Sequence, residues 1–143
     1  MAGRLHNKKV GNAWEYDFFA RALSLGLDVF IPAGDHLPVD CHVVNKDGKI
    51  YRVQCKGTGV NNKTKGECRD RYKIVAATGN HVKTPIDCDK VDVMACYIEP
   101  CKVWYLVPCP ALGGMKGMWF YPNYEDSKSK YASYKENWSI FNS

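Results

Sequence analysis

No apolar run in this sequence approaches the roughly 20 residues that a membrane-spanning helix needs. The first residues are polar and basic and lack the apolar stretch of a secretory signal, so a cytoplasmic protein is expected. The seven cysteines (Cys41, Cys55, Cys68, Cys88, Cys96, Cys101 and Cys109) form no C-x-x-C pair, and the four histidines do not cluster near them at zinc spacings. Several of these cysteines alternate with apolar residues, where Cys serves as a small hydrophobe, so reduced and mostly structural thiols are expected. Repeats, low-complexity segments and linkers are also missing. A chain of 143 residues without a divider reads as one domain, 1–143, long enough to bury a core.

What is present is ordinary in amount and uneven in placement. Apolar residues make up 45% and charged residues 24%, which excludes wholesale disorder. The net charge is +5, and six cations (Lys56, Lys63, Lys65, Arg69, Arg71 and Lys73) lie between positions 56 and 73 against two acids, Glu67 and Asp70. Such a stretch suits a polyanion, because each neutralised phosphate releases counterions; a solvated loop would look the same.

Periodicity supplies the elements. Trp14, Phe18, Ala22 and Leu25 recur at helical spacing, with Asn12 placed to cap the start and Gly26 to end it. Residues 27–31, 39–44, 49–56, 72–77, 91–98 and 102–107 read as strands. Near the end, Tyr131, Tyr134, Trp138 and Phe141 fall at steps of three and four, which predicts a closing helix with an aromatic core face. Helix, mainly antiparallel strands, then helix gives an α+β domain.

The pattern that carries chemistry is Pro38-Val39-Asp40 followed by Gln54-Cys55-Lys56 at the end of the next strand. Side chains at i and i+2 share a strand face, so Gln54 and Lys56 point the same way. Asp40 joins them only in one hairpin register. A two-residue turn at Asp47-Gly48 would set Asp40 opposite Cys55, whereas a three-residue loop, 46–48, would set it opposite Gln54. Asp47-Gly48 at the last two loop positions suits a type I turn followed by a left-handed glycine bulge. In that register Asp40, the Gln54 amide oxygen and the Cys55 carbonyl could ligate a hard divalent cation. Lys56 could orient water and steady developing charge, and Glu15 on the first helix could reach the metal directly or through water. Without further support each of these is also an ordinary exposed residue.

The runs Gly11-Asn12-Ala13-Trp14-Glu15, Asp35-His36-Leu37-Pro38-Val39-Asp40 and Tyr51-Arg52-Val53-Gln54-Cys55-Lys56 resemble the PD-(D/E)XK nucleases, in the branch of small intron-encoded homing endonucleases that carries Gln-x-Lys. Residues 91–95, 103–108 and 134–138 are similar to later elements of that branch, so the resemblance spans nearly the whole chain in order. It implies a restriction-endonuclease-like core with a mixed, mainly antiparallel central sheet. It also implies Mg²⁺-dependent hydrolysis of duplex DNA (Mn²⁺ substituting), with Glu15, Asp40, Gln54 and Lys56 as the active site. The metal ligands would be Glu15, Asp40, Gln54 and Cys55, and Lys63, Lys65, Arg69 and Arg71 would face DNA. A homodimer or homotetramer is implied, since cutting two strands needs two sites, in the nucleoid-associated cytoplasm of a prokaryotic or phage-type host. A Holliday-junction-resolving nuclease and a cleavage-deficient DNA-binding protein are the alternatives. Two features depart from the family pattern: Gln54 stands for a second carboxylate, and Cys41 and His42 follow Asp40 where aliphatics are usual. Asp92 resembles a family position without an assigned role, and His36, His42 and His81 are read as surface or internally satisfied histidines rather than ligands.

Overall fold

The computed structural model describes residues 2–34, 36–66, 69–78, 82–124 and 129–142. Asp35, Glu67, Cys68 and His81, named above, lie outside them. Among the described residues, a helix α1 (Ala2–Ser24) is followed by nine strands. They are β1 (Asp28–Phe30), β2 (Cys41–Val44), β3 (Ile50–Thr58), β4 (Tyr72–Val75), β5 (Ala77–Thr78), β6 (Thr84–Pro85), β7 (Val93–Ile98), β8 (Val103–Pro108) and β9 (Gly117–Phe120). The central sheet has the order β1-β2-β3-β7-β8, antiparallel except for the β3–β7 pair, as the α+β reading expects.

Strand alternation divides the core into two layers. Val53, Val93, Ala95, Tyr97, Trp104 and Leu106 face α1, where Phe18 and Ala22 are fully buried. Met94, Cys96, Ile98, Tyr105 and Val107 face the opposite way, under a two-stranded ribbon of β4 and β9 whose Tyr72, Ile74, Met118 and Phe120 point inward. Every residue of β7 is buried, as a strand covered on both faces requires. Helix α1 stops where glycine permits it. Gly26 has φ +82°, its N–H returns to the Leu23 carbonyl, and the Leu27 N–H returns to that of Ala22, both bonds of a Schellman cap. Asn12 is not a cap: the helix begins ten residues earlier and Asn12 lies inside it.

The chain does not close with a helix. Residues 131–142 form two short 3₁₀ turns, Ala132–Tyr134 and Trp138–Asn142, separated by Glu136 in the left-handed region at φ 51°. The cause is tertiary. The Glu136 N–H donates to the Trp104 carbonyl at 2.7 Å, its carboxylate accepts the Trp104 N–H at 2.7 Å, and Arg21 of α1 pairs with the same carboxylate. Bonding to β8 thus outcompetes the local ladder, although Tyr131 and Phe141 are buried as their spacing suggested.

A second correction concerns the cysteines. Cys88 and Cys109 are joined as a disulfide, while Cys41, Cys55, Cys96 and Cys101 are free thiols. The two partners are 21 residues apart and share no recognisable spacing motif, so composition alone could not pair them. No helix among the described residues is long and apolar enough to cross a membrane.

Candidate active site

The β2–β3 hairpin sets the site. The Asn45 N–H donates to the Lys49 carbonyl, the Gly48 N–H donates to the Asn45 carbonyl, and Gly48 has φ +84°, so the loop is the three-residue form. Asn45 holds it from within. Its Oδ1 accepts the N–H groups of Asp47 and Lys49, and its Nδ2 donates to the Phe141 carbonyl. The resulting register pairs Cys41 with Val53, and one further step brings Asp40 alongside Gln54.

β2 ends there, but β3 runs on to Thr58, paired on its other side with β7. Among the described residues no strand pairs with this edge of β3 beyond Val53, and Asp40 fills its start. The Asp40 N–H donates to the Val53 carbonyl at 2.9 Å, and its Oδ2 accepts the Cys55 N–H at 2.7 Å. Glu15 arrives from α1, with its carboxyl hydrogen-bonded to that of Asp40. Glu15, Cys55 and Lys56 line one cleft of about 240 Å³ with Gly11, Trp14 and Gly57.

Gly57 fixes how close the helix comes. A Cβ at this position would lie 2.3 Å from the Trp14 ring, so only glycine lets the indole sit on β3. Trp14 is one residue before Glu15, and this contact sets the height of the Glu15 carboxyl over the strand. Asp17 fixes α1 further by accepting the Trp104 indole N–H at 2.7 Å.

Two carboxyls held this close oppose each other's ionisation. Burial, the charge of Asp40 and the hydrogen bond to it push the Glu15 carboxyl up to about 7. Burial also raises Asp40, against the opposing effects of the Cys55 N–H, the Glu15 bond and the Lys56 charge. Burial, with Lys83 nearby, lowers the Lys56 ammonium, whose Nζ donates to the Ala77 carbonyl at 3.3 Å. Burial and the neighbouring Cys41, Asp40 and Glu15 hold the Cys55 thiol well above its ordinary value, so it is a neutral group there.

Gln54 stands apart from this cluster. It lines a different cleft, of about 450 Å³, with Pro38, Ile86, Asp87 and Val91, and its Oε1 is buried without a hydrogen-bond partner among the described residues. A buried amide oxygen without a donor costs on the order of 1–3 kcal/mol. Among the described residues no three or more His, Cys, Asp and Glu side chains form a metal cage. The available donors are a carboxyl pair, a strand carbonyl and this amide. The carboxyl pair and the strand carbonyl make an all-oxygen set that fits a hard divalent cation, whereas the Gln54 amide opens on the separate cleft.

Asp92 clamps β3 to β7: its Oδ2 accepts the Arg52 N–H and Nε at 2.8 and 2.9 Å, and its Oδ1 accepts an Arg52 terminal nitrogen at 2.9 Å. In the basic loop, Lys63 and Lys65 are exposed, but Arg69 lies over the Tyr121 and Tyr124 rings and Arg71 over Trp119. Sequence reading overlooked Trp14 and Gly57 as supports of the site, because a helix aromatic and a strand glycine give no pairwise signal. It also overlooked β9, whose four residues follow a glycine-rich stretch.

The chain matches the PD-(D/E)XK endonuclease family over residues 5–140 and belongs to it. Its fold is similar to that of a bacterial homing endonuclease, I-Ssp6803I, at 20% identity with a TM-score of 0.75, covering 94% of this chain and 93% of that one. No curated protein matches the sequence.

Proposed function

We propose that this protein is a divalent-metal-dependent endonuclease that hydrolyses phosphodiester bonds in duplex DNA. The observation that carries the reading is the Glu15–Asp40 carboxyl pair, held beside Lys56 at the open edge of β3 in a chain of an endonuclease family. The likeness to a bacterial homing endonuclease supports that branch of the family. Asp40 and Glu15 would hold Mg²⁺, with Mn²⁺ as a substitute, together with the Cys55 carbonyl and, after a turn of its side chain, the Gln54 amide oxygen. When bound, such an ion lowers the pKa of its water and neutralises phosphate charge.

The chain's own residues account for the rest. The Cys55 N–H fixes the Asp40 carboxyl, which also meets that of Glu15. Lys56, half-buried and tethered to the Ala77 carbonyl, presents an ammonium to the charge that develops on the phosphate oxygens. Water adds to phosphorus, the sugar oxygen leaves with the bonding pair, and no enzyme-bound intermediate forms. Lys63 and Lys65 would contact phosphates flanking the cut. Cutting both strands requires a second active site, hence a homodimer or homotetramer.

The test is nicking of plasmid, linear duplex and four-way junction, with Mg²⁺ and with EDTA. Metal-dependent cutting of plasmid and linear duplex is expected. Preference for the junction would mark a resolvase, and duplex binding without cutting would mark a cleavage-deficient binder, the outcome to which Gln54 lends weight.

A further inference from the structure

The outward face of the β4–β9 ribbon carries a feature that the hydrolytic site does not use. Tyr72, Ile74, Met118 and Phe120 turn inward, so Lys73 on one strand and Gly117 and Trp119 on the other turn out. Lys73 pairs with Trp119, and the same register carried past the strand ends brings Arg71 level with Tyr121. The two arginines lean one step along this ladder, whereas the Lys73 ammonium lies 5.7 Å from the ring of its own partner Trp119. The Arg69 guanidinium lies 4.9 Å from the Tyr121 ring, that of Arg71 lies 4.5 Å from Trp119, and the Lys73 stem crosses Gly117, 3.3 Å from where a Cβ would stand. The one acid in this segment among the described residues, Asp70, is held by Asn61 and Asn123 at 2.8 and 2.9 Å.

A cation resting on an aromatic face can be no more than packing. Here the stripe has one sign of charge, lies on a two-stranded antiparallel ribbon and begins one loop after the catalytic strand, with β4 against β3. The major groove of B-DNA admits a two-stranded ribbon, and its guanine edges take Arg or Lys donors. The Arg71 guanidinium over Trp119 is held by its Nε, which donates to the Asn62 carbonyl at 3.2 Å, and a pre-positioned guanidinium fork is what such an edge requires. The loop anchors the same ribbon: the Asn62 N–H donates to the Arg71 carbonyl at 2.7 Å, and the Asn62 Oδ1 accepts the Lys73 N–H at 3.1 Å.

Resting on the nuclease reading, we propose that the β4–β9 ribbon enters the major groove and that Arg71, Lys73 and Trp119 set the sequence preference of cleavage, whereas Lys63 and Lys65 supply affinity through phosphates. Only the first group should then affect which sequences are bound. The experiment is selection from a randomised duplex library in EDTA, by the wild type, by Lys73→Gln, by Trp119→Ala and by the Lys63→Gln/Lys65→Gln double variant, alongside plasmid nicking in Mg²⁺. Lys73 is exposed, so its variant is a safeguard should Trp119→Ala unfold.

The wild type is expected to enrich a motif, and Lys73→Gln to lose roughly tenfold or more of the preference at one or two of its positions. The loop double variant should keep the motif and bind all sequences more weakly. A motif unchanged in both ribbon variants, or a wild type that enriches none, overturns the assignment. A wild type that enriches a motif changed by Lys73→Gln but never nicks plasmid supports the ribbon and sinks the nuclease reading instead.

Discussion

The Asp40 carboxylate accepts the backbone N–H of Cys55 at 2.7 Å, across the point where β2 stops and β3 continues. One side chain thereby closes the strand edge and interacts with the Glu15 carboxyl. Metal affinity should depend on this bond as much as on charge. Asp40→Asn keeps the size of the side chain but removes the anion, and calorimetric Mn²⁺ titration should show affinity falling at least tenfold. Unchanged affinity would remove Asp40 from the ligand set.

Gly57→Ala tests how α1 is positioned. The added methyl must displace the Trp14 ring, which costs about 1–3 kcal/mol by overpacking. Glu15 should move with the helix, so Mn²⁺ binding should weaken although no ligand has changed. A variant as stable as the parent in urea, with an unaltered metal titration, would show that the Trp14–Gly57 contact does not set the site.

The raised carboxyls give a pH dependence whose sign is fixed. Without a divalent ion, folded Glu15 keeps its proton up to about 7, whereas the unfolded chain releases it near the ordinary 4.5. The folded state binds more protons in that window, so stability falls as pH rises from about 4.5 to about 7. The opposite contribution comes from Asp92. Arg52 holds it below the ordinary carboxylate value, so its stabilisation is present above that value and lost as pH falls through the lowered one. Thermal melts in EDTA should show the fall between 4.5 and 7 in the wild type, flattened in Glu15→Gln and offset in the wild type by Mg²⁺. Parallel profiles for the two proteins would contradict the carboxyl pair.

Gln54→Glu separates an amide ligand from a bystander. The two side chains are nearly isosteric, and a carboxylate binds a hard cation more tightly, so half-maximal cleavage should need less Mg²⁺. Gln54→Ala should need more. Three superimposable Mg²⁺ curves would leave the buried Gln54 oxygen as a structural oddity outside the metal site.

Much of this was legible in the sequence because alternation and turn chemistry are local. Asp47-Gly48 carries the loop type, and loop type carries the register that brings Asp40 to Gln54. The closing helix misled because spacing at residues 131–141 reports only a shared buried side, and Glu136 reaches it through bonds to Trp104 that periodicity cannot encode. The Cys88–Cys109 bond and the ribbon partner β9 are likewise long-range pairings. Strand logic also set Asp40, Gln54 and Lys56 on one face. The Asp40 carboxyl instead turns to the strand edge, where Glu15 meets it from the helix side.

Single-turnover cleavage by Lys56→Ala, measured beside its DNA affinity, tests the hydrolytic site most directly. One lysine among many contributes little to total phosphate contact, so affinity should stay within a few-fold of the parent. Cleavage should drop by at least about a hundredfold, as loss of one positioned charge donor does elsewhere. Near-normal cleavage with intact binding would place the chemistry somewhere other than the Glu15–Asp40–Lys56 cluster.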